Sequence, residues 1–411
     1  MIYFIAPRPK KENEGFHLRV AAIDEIFKDQ ERIYYQRENL SKHLENLKRA
    51  DAIYVHSIFM AKEILAFYRI FADKIVTDLH GLVPEEAEIS GNKLDAEEYA
   101  EIEKEVFTYG KRFVAVTNSM IEHYRKKYKL DSKTSWAIVP IFEASSVPQQ
   151  TITQRREAKI IYAGGAQKWQ NIDLMIEAMK KASESYRYFI LSPDVETITK
   201  KIPVKLEERV EIKKVPQKRV GTYYKKSTLG FILRDDIPIN RVACPTKLIE
   251  YLNYGIIPIV LSPHIGDFEA LGYSYIKLDD FVKNKRPTIE GLAAMQQNNL
   301  EVLKKLEVET DKGKNILLNW AVTKADMVSL TTEELINIEH KYVRENLNKY
   351  FLKVHELNYN NNLLQGDIEY YKKVIEQKDE ELKRTHLSLA WKVRNSVRKT
   401  RAPKKGLRKK A

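Results

Sequence analysis

Short apolar runs alternate with amphipathic segments along most of this chain, and the alternation starts twice. Near-continuous apolar strands separated by helical segments are typical of a parallel sheet that is covered on both faces. The sequence therefore predicts an α/β fold with two Rossmann-like domains that face a cleft. The predicted strands are Ile2–Ala6, Arg32–Gln36, Ala52–His56, Lys74–Asp78, Phe113–Thr117 and Ala137–Ile141 in the first domain, and Ile160–Ala163, Tyr188–Leu191, Val210–Ile212, Leu229–Leu233, Ile257–Leu261 and Tyr275–Leu278 in the second.

The composition of Ala144–Arg156 marks the boundary between these domains, because serine, proline and glutamine replace large apolar residues there. Beyond Pro287 the periodicity becomes helical, with predicted helices at Ile289–Leu306 and Leu317–Val328. Thr331 and the acids that follow it look like another helix start. The predicted segments are two Rossmann-like domains (1–148 and 155–310), a helical segment (311–330), a long helical or coiled-coil extension (331–385) and a basic amphipathic tail (386–411).

Net charge and cysteine content limit the kinds of partner and metal site that this chain can have. The chain of 411 residues has 70 lysines and arginines against 57 acids, a net charge of +13 that favours anionic partners. Cys244 is the single cysteine, which excludes an intrachain disulfide and a cysteine-based metal site. The first residues do not resemble a signal peptide and no apolar run is long enough to span a bilayer, so we expect a cytoplasmic protein.

The run from Pro245 to Val260 is the sharpest local signal, and it reads helix, turn, strand. Pro245 suits the first turn of a helix, and the amides of Thr246 and Lys247 would then point toward the cleft as an anion site. Glu250 lies three residues after Lys247 on the same side of the helix, where it can accept hydrogen bonds from a ribose. The alternative is an ordinary capped helix with a Lys–Glu pair.

Four loops that follow predicted strands carry further candidates. Gly164 and Gly165 permit a close backbone approach to a ligand, and Lys168 and Arg234 can meet the charge that develops on a leaving diphosphate. A tight turn and a solvated lysine are the ordinary alternatives. The other candidates, in the first domain, are Gly15 with the backbone amides and the cation Arg19 near it, and His80 with Gly81, where His80 would orient a sugar or act as a base near neutral pH.

These segments, taken together and in order, resemble the GT-B glycosyltransferases, and glycosyltransferase family 4 in particular. The resemblance rests on Pro245–Leu252 with Gly255 and Pro258–Val260, on Tyr162–Asn171 with Asp173–Met179, on Asp78–Glu86, and on Val116–Met120 with His123 and Tyr124. It implies sugar transfer from a nucleotide diphosphate to an acceptor hydroxyl, with retention of configuration. It also implies that 1–148 is the acceptor domain, 155–310 the nucleotide-sugar donor domain and 311–330 the crossover helix. It assigns the reacting end to His80, Gly81, Arg234 and Lys168, and donor-nucleotide binding to Gly164, Gly165, Thr246, Lys247, Glu250, Gly15 and Asn240.

One position departs from the family pattern. Many members carry two glutamates eight residues apart, and the position eight residues before Glu250 is Val242. Asn240 or Arg234 would then take over the contact to the donor sugar. No two aspartates are spaced as Asp-x-Asp, so we expect no catalytic metal, and no cofactor besides the nucleotide-sugar substrate.

Other functions fit less of the chain. The P-loop pattern of NTPases and the Gly-x-Gly-x-x-Gly of dehydrogenases after the first strand are both missing from the sequence. A nucleotide-sugar epimerase can share the two-domain architecture and is the enzymatic alternative. The second alternative is a non-catalytic scaffold whose basic C-terminal tail binds nucleic acid or a membrane.

The last twenty residues, Lys392–Ala411, contain ten basic residues and no acid. Such a tail can bind nucleic acid without sequence preference. Trp391 beside Lys392, Arg394 and Arg398 instead favours a helix that lies on an anionic membrane surface. We therefore expect peripheral association with the inner face of the cell membrane, a glycan or lipid-linked acceptor in the synthesis of a cell-surface polysaccharide or glycolipid, and a pathway partner or second copy on 331–385.

Overall fold

The computed structural model describes residues 1–9, 15–36, 40–141, 159–285, 287–323 and 328–346, together with 352, 372, 373, 376 and 380. The chain forms two compact units, Met1–Ile336 and Asn337–Ala411. The described residues of the second unit are helical. The predicted domain boundary in Ala144–Arg156, most of the predicted coiled coil and the tail residues Trp391, Lys392, Arg394 and Arg398 lie outside the described residues.

The first domain is built on a parallel sheet of six strands in the order β2-β1-β3-β4-β5-β6. Its strands are β1 (Ile2–Ile5), β2 (Arg32–Tyr34), β3 (Ala52–His56), β4 (Ile75–Leu79), β5 (Arg112–Ala115) and β6 (Ser135–Ile138). Their side chains are buried on both faces of β1, β3 and β4, which explains the near-continuous apolar runs. The strand order reverses between β1 and β3.

The second domain repeats this architecture, with six parallel strands in the order β12-β11-β10-β7-β8-β9. The strands are β7 (Lys159–Ala163), β8 (Arg187–Leu191), β9 (Val210–Lys213), β10 (Leu229–Ile232), β11 (Ile257–Val260) and β12 (Ile276–Lys277). All twelve predicted strands are present, and their ends differ from the predicted ones by no more than three residues. The order reverses here between β7 and β10, which is the position where open parallel sheets bind ligands.

Helices connect the strands and cover both sheets. They are α1 (Gly15–Ile26), α2 (Leu40–Arg49), α3 (Ser57–Ala61), α4 (Leu65–Tyr68), α5 (Val83–Ile89), α6 (Lys93–Tyr109), α7 (Asn118–Tyr128), α8 (Ile172–Lys181), α9 (Val195–Thr199), α10 (Val204–Glu207), α11 (Gln217–Tyr224), α12 (Pro238–Val242), α13 (Thr246–Asn253), α14 (Phe268–Leu271), α15 (Leu278–Val282) and α16 (Ile289–Val322). Short 3-10 turns cover Lys62–Ile64 and Lys168–Gln170. No helix among the described residues is long and apolar enough to cross a membrane.

Helix α16 is a single helix, whereas the sequence predicted two separate helices in this region. It is continuous over 34 residues, about 50 Å, and packs Leu303 and Leu306 into the core of the second domain and Leu317 into that of the first. The apolar pattern weakens between these sets because α16 passes from one domain to the other there. At Gly313 a Cβ atom would lie 1.9 Å from the carbonyl oxygen of Ile138, so only glycine allows this close approach to β6.

A second contact between the domains lies at the start of α7. Thr117 is the N-cap, since its hydroxyl accepts the hydrogen bond of the Met120 amide. The Asp267 carboxylate, from the second domain, accepts hydrogen bonds from the backbone amides of Asn118 (2.6 Å) and Ser119 (2.8 Å). A carboxylate at a helix N-terminus satisfies amides that have no partner within the helix.

This contact predicts a measurable loss of stability on changing Asp267→Asn. The amide keeps the size of the side chain but removes the negative charge from the α7 N-terminus, so we expect the free energy of unfolding to fall by about 1 kcal/mol. Glu307→Gln, on the exposed face of α16, is the matched control and should change it by less than about 0.5 kcal/mol. Equal unfolding curves for the two variants in urea would contradict the role given to Asp267.

Candidate functional site

The site in the second domain lies where the strand order reverses. Gly164 follows β7, Arg234 comes two residues after β10, and α13 begins at Thr246. Pro245 is the N-cap of α13 and precedes its first turn rather than lying within it. The sequence placed these residues in one site, and the fold brings them to the same edge of the sheet.

The ammonium group of Lys247 lies at this edge of the sheet and contacts two neutral side chains. Its Nζ donates a hydrogen bond to the Gln170 side-chain oxygen (3.1 Å) and lies 4.0 Å from the centre of the Tyr162 ring. Burial, and then the positive charge of Arg234, lower the pKa of Lys247 well below its usual value. A lysine whose charged form is disfavoured in this way gains from an anionic ligand, because an anion restores the charged form.

Gly164 makes the position of Lys247 possible. A Cβ atom on Gly164 would lie 2.7 Å from Nζ and 3.0 Å from Cε of Lys247. The group that comes close to Gly164 in this structure is thus the Lys247 side chain. Close approach of a ligand to this glycine stays a prediction. Gly165, the next residue, accepts a hydrogen bond from the Tyr162 hydroxyl through its carbonyl oxygen (2.5 Å).

Arg234 is positioned by Asn240. The guanidinium donates to the Asn240 side-chain oxygen (3.2 Å), and the Asn240 amide in turn donates to the carbonyl of Asp235 (3.0 Å). Asn240 is almost fully buried, at 1% exposure. Burial lowers the pKa of Arg234, while the negative charge of Glu86, from the first domain, acts to raise it. Asn240 therefore touches the site through Arg234 in this structure.

Glu250 lies one turn beyond Lys247 on α13. Its carboxylate accepts hydrogen bonds from the Tyr224 hydroxyl (2.6 Å) and the Gln217 side chain (3.2 Å), both on α11. These contacts fix the carboxylate near Lys247 and Arg234, which together are called the cation pair below. Its role with a ribose stays a prediction.

The other predicted residues occupy less defined positions. Lys168 is exposed in the 3-10 turn before α8, and Thr246 is an exposed first residue of α13. Gly15 is the first residue of α1. Arg19 was expected to supply a cation to the cleft, and this is wrong: its side chain is completely buried and paired.

The partner of Arg19 is Asp78, at the carboxyl end of β4. Arg19 donates to both carboxylate oxygens, from Nε (2.8 Å) and Nη2 (2.6 Å), and the Tyr54 hydroxyl donates to the same carboxylate. Burial acts to raise the pKa of Asp78, but Arg19 outweighs burial and holds that pKa well below its usual range. Asp78 is therefore ionised and neutralised by Arg19 inside the first domain.

His80 sits directly above this pair. Its Nδ1 lies 3.6 Å from an Asp78 oxygen, and its ring stacks on that of His56 with the centres 4.6 Å apart. Burial, and then the nearby His80, lower the pKa of His56 to about 3, so His56 is neutral at pH 7. The Tyr124 hydroxyl donates to the carbonyl oxygen of Gly81 (3.3 Å), which helps to hold the loop after β4.

The candidate ligand atoms of His56, Asp78 and His80 all lie within 4.8 Å of one another. A metal ion is nevertheless a poor fit for this cluster. Both oxygens of Asp78 already accept hydrogen bonds from Arg19, so a cation would have to compete with a buried guanidinium. The absence of a catalytic metal stays a prediction.

A pocket of about 450 Å³ opens beside His80. Its lining comprises Ser57, Phe59, His80, Gly81, Val83 and Glu86. Sequence reasoning missed Ser57, Phe59 and Glu86 as parts of a site. Glu86 was part of the segment Asp78–Glu86 that resembles the family, but nothing in the pattern indicated that its side chain turns back toward Gly81.

Comparison with known proteins identifies the fold. No family model matches this chain, and no curated protein sequence matches it. Among solved structures, HepE from Anabaena in complex with UDP and glucose has a TM-score of 0.58 at 10% identity, over 77% of this chain and 99% of that one. Sucrose-phosphate synthase from Thermosynechococcus elongatus has a TM-score of 0.56 at 11% identity, over 77% and 98%.

The apo form of the lipopolysaccharide outer core galactosyltransferase WaaB is also similar, with a TM-score of 0.52 at 14% identity over 78% of this chain and 98% of that one. At such identities the likeness concerns the fold. The two Rossmann-like domains thus have the GT-B arrangement that the sequence predicted.

The close approach at Gly164 predicts the effect of Gly164→Ala. The added methyl group would displace the Lys247 ammonium, so we expect binding of a nucleoside diphosphate to weaken roughly tenfold, the loss of about one charge-assisted hydrogen bond. Gly272→Ala is the control, since no atom lies within 4 Å of a Cβ at this positive-φ glycine, remote from the cation pair. The measurement is isothermal calorimetry, and equal affinity for the two variants would contradict the packing argument.

Proposed function

We propose that this protein is a glycosyltransferase that moves a sugar from a nucleotide-diphosphate donor to an acceptor hydroxyl. The observation that carries the proposal is the placement of Lys247 beside Arg234, where each hydrogen bonds to a neutral amide side chain. Burial, and then the charge of Arg234, lower the pKa of Lys247, so an anion bound beside both residues would favour the charged form of the lysine. A diphosphate supplies two groups of the required charge.

The two cations also suit the chemistry of the transfer. When the bond between the sugar and the phosphate breaks, negative charge develops on the leaving diphosphate, and fixed cations stabilise that charge without reorganisation. The first amides of α13, at Thr246 and Lys247, add a helix N-terminus on the same side. Gly164 and Gly165 let the backbone come close, and Lys168 can reach the diphosphate from its exposed turn.

The remaining roles follow from position. Glu250 accepts hydrogen bonds from the ribose, Asn240 positions Arg234, and His80 with Gly81 faces the reacting sugar from the first domain. Gly15, at the start of α1, offers a backbone amide at the same edge of the first sheet. HepE, one of the similar structures, was obtained with UDP and glucose, which makes UDP the first nucleotide to test here.

The finer features of the proposal concern mechanism and location. We propose retention of configuration without a metal ion, acting on a glycan or a lipid-linked acceptor in surface polysaccharide or glycolipid synthesis. The basic tail would hold the enzyme at an anionic membrane surface in the cytoplasm. The anomeric configuration of the product, followed by NMR with and without EDTA, tests the first two features, and vesicle sedimentation of a chain truncated after Lys383 tests the tail.

The donor class can be read from thermal stabilisation of the full chain by UDP, GDP, ADP, dTDP and CMP. A ligand at about one hundred times its dissociation constant adds roughly 2.7 kcal/mol to the free energy of unfolding. We expect a clear shift with one diphosphate, lost in Lys247→Ala and retained in Lys312→Ala, an exposed lysine of α16. No shift of the wild-type protein with any of the five would reject the proposed function.

Binding should also be coupled to proton uptake. Lys247 has a lowered pKa in the free protein, and a bound diphosphate raises it again, so the complex takes up a proton at any pH between these two values. At about pH 8.5 free phosphates no longer titrate, since their second pKa is about 6. Calorimetry in two buffers of different ionisation enthalpy measures the uptake, which should be smaller in Lys247→Gln. The same uptake in both proteins would show that Lys247 is not the titrating group.

A further inference from the structure

Gln170 and Tyr162 are the two neutral side chains that contact the ammonium group of Lys247. Tyr162 lies near the end of β7, and Gln170 is the last residue of the 3-10 turn that precedes α8. Tyr162 is 2% exposed, so its ring is a fixed part of the core of the second domain. A strand and a turn that are close in sequence thus converge on one lysine of α13.

The Tyr162 ring attracts the ammonium through its face. The Lys247 Nζ lies 4.0 Å from the ring centre, well inside the ~6 Å at which a cation and an aromatic face attract each other. The Tyr162 hydroxyl donates a hydrogen bond to the carbonyl oxygen of Gly165, which keeps the ring in this orientation. The ring thus favours the charged form of Lys247 and fixes its position without adding a negative charge.

The position of Gln170 depends on the residue that follows it. Asn171 has a φ of +52°, a left-handed conformation that asparagine adopts more readily than most residues. Its side-chain amide donates to the carbonyl oxygen of Leu233 (3.0 Å) and to the Asp235 carboxylate (2.9 Å), on either side of Arg234. The turn that carries Gln170 is therefore tied to the loop that carries the second cation of the pair.

The titratable groups that face Lys247 are Arg234 in the loop after β10, Glu250 on α13 and Tyr162 on β7. Burial and the charge of Arg234 lower the pKa of Lys247, and the charge of Glu250 opposes them. The Glu250 carboxylate lies one turn further along α13 and accepts a hydrogen bond from the Tyr224 hydroxyl. The side chain that hydrogen bonds to Lys247 is instead a neutral amide.

A negative charge at position 170 would change this balance. In the first domain Asp78 cancels the charge of Arg19 and makes it part of the buried structure. The change Gln170→Glu would pair Lys247 in the same way, and the lysine would then attract an anionic ligand less strongly. Because glutamine and glutamate have the same shape and reach, the native amide supplies the orientation alone.

We propose that Gln170 and Tyr162 are positioning residues, which hold the Lys247 ammonium in place for the diphosphate and leave its charge uncancelled. The inference rests on the proposed function and assigns to these two side chains the strength with which the site binds its anion. Both act through Lys247, and neither touches the reacting atoms.

The first test is Gln170→Glu in the full-length protein. We expect its melting temperature without ligand to rise by about 2 °C, because the new carboxylate offsets a buried positive charge. Calorimetry with UDP, GDP, ADP and dTDP at pH 8.5, where their phosphates no longer titrate, should show an affinity about tenfold lower and a smaller proton uptake than in the wild type. Gln297→Glu, on the exposed face of α16, is the matched control and should keep the wild-type affinity and uptake without a rise in melting temperature.

The second test removes the ring under Lys247. Tyr162→Leu should bind the nucleoside diphosphate roughly tenfold more weakly at pH 8.5, since the charged form of Lys247 loses its aromatic neighbour. The loss should be smaller at pH 7, where more of the lysine is charged without the help of the ring. Tyr162→Phe keeps the ring and should retain most of the affinity. Tyr188→Leu is the control, because Tyr188 is a buried tyrosine of the neighbouring strand whose ring stacks on Phe231.

Two kinds of result would overturn the inference and leave the proposed function intact. One is a Gln170→Glu protein that has the affinity and proton uptake of the wild type, or whose melting temperature falls together with its affinity as in a structural defect. The other is a Tyr162→Leu protein that binds as tightly as Tyr188→Leu, or that loses the same factor at both pH values. A wild-type protein that binds none of the four nucleotides would reject the proposed function itself, and the inference with it.

Discussion

The buried ion pair of Arg19 and Asp78 organises the cleft side of the first domain. Both side chains have no exposed surface, and Arg19 also donates to the carbonyl oxygen of Val139, just beyond β6. The pair thus ties α1 to β4 and to the end of β6. Removal of one partner from such a pair leaves an uncompensated buried charge, which typically costs about 3 to 5 kcal/mol. Tyr54 and His80 take their positions from Asp78, so the loop that carries the candidate reacting residues depends on this pair.

In the second domain the buried cations have neutral hydrogen-bond partners instead of a carboxylate. Arg19 finds a carboxylate within its own domain, whereas Lys247 and Arg234 hydrogen bond to the neutral side chains of Gln170 and Asn240. A neutral partner orients a cation without cancelling its charge. Burial makes the positive charges of Lys247 and Arg234 costly, and their neutral partners do not offset that cost. An anion bound beside them would offset it. The functional proposal follows from this difference between the two domains rather than from the number of basic residues.

Local patterns were sufficient to predict the strands and the two-domain fold, because both depend on residues near one another in the sequence. They also named Lys247 and Arg234 as candidates, which the common edge of the second parallel sheet brings to one place. The pairing of Arg19 with Asp78 was not predictable in this way, since it joins residues 59 positions apart and depends on the exact packing of α1. The same holds for Glu86, whose direction is set by the space above Gly81. Helix α16 was divided in the prediction because its middle turn lies between two cores and has the composition of a loop.

Two contacts of different physical kind join the two Rossmann-like domains. Helix α16 enters both cores and approaches β6 at Gly313 as closely as two backbones can, which fixes the domains along one side. Asp267 joins them at the start of α7 through hydrogen bonds to backbone amides. Since α7 also carries Tyr124, which holds the carbonyl of Gly81, the second contact is connected to the loop of His80.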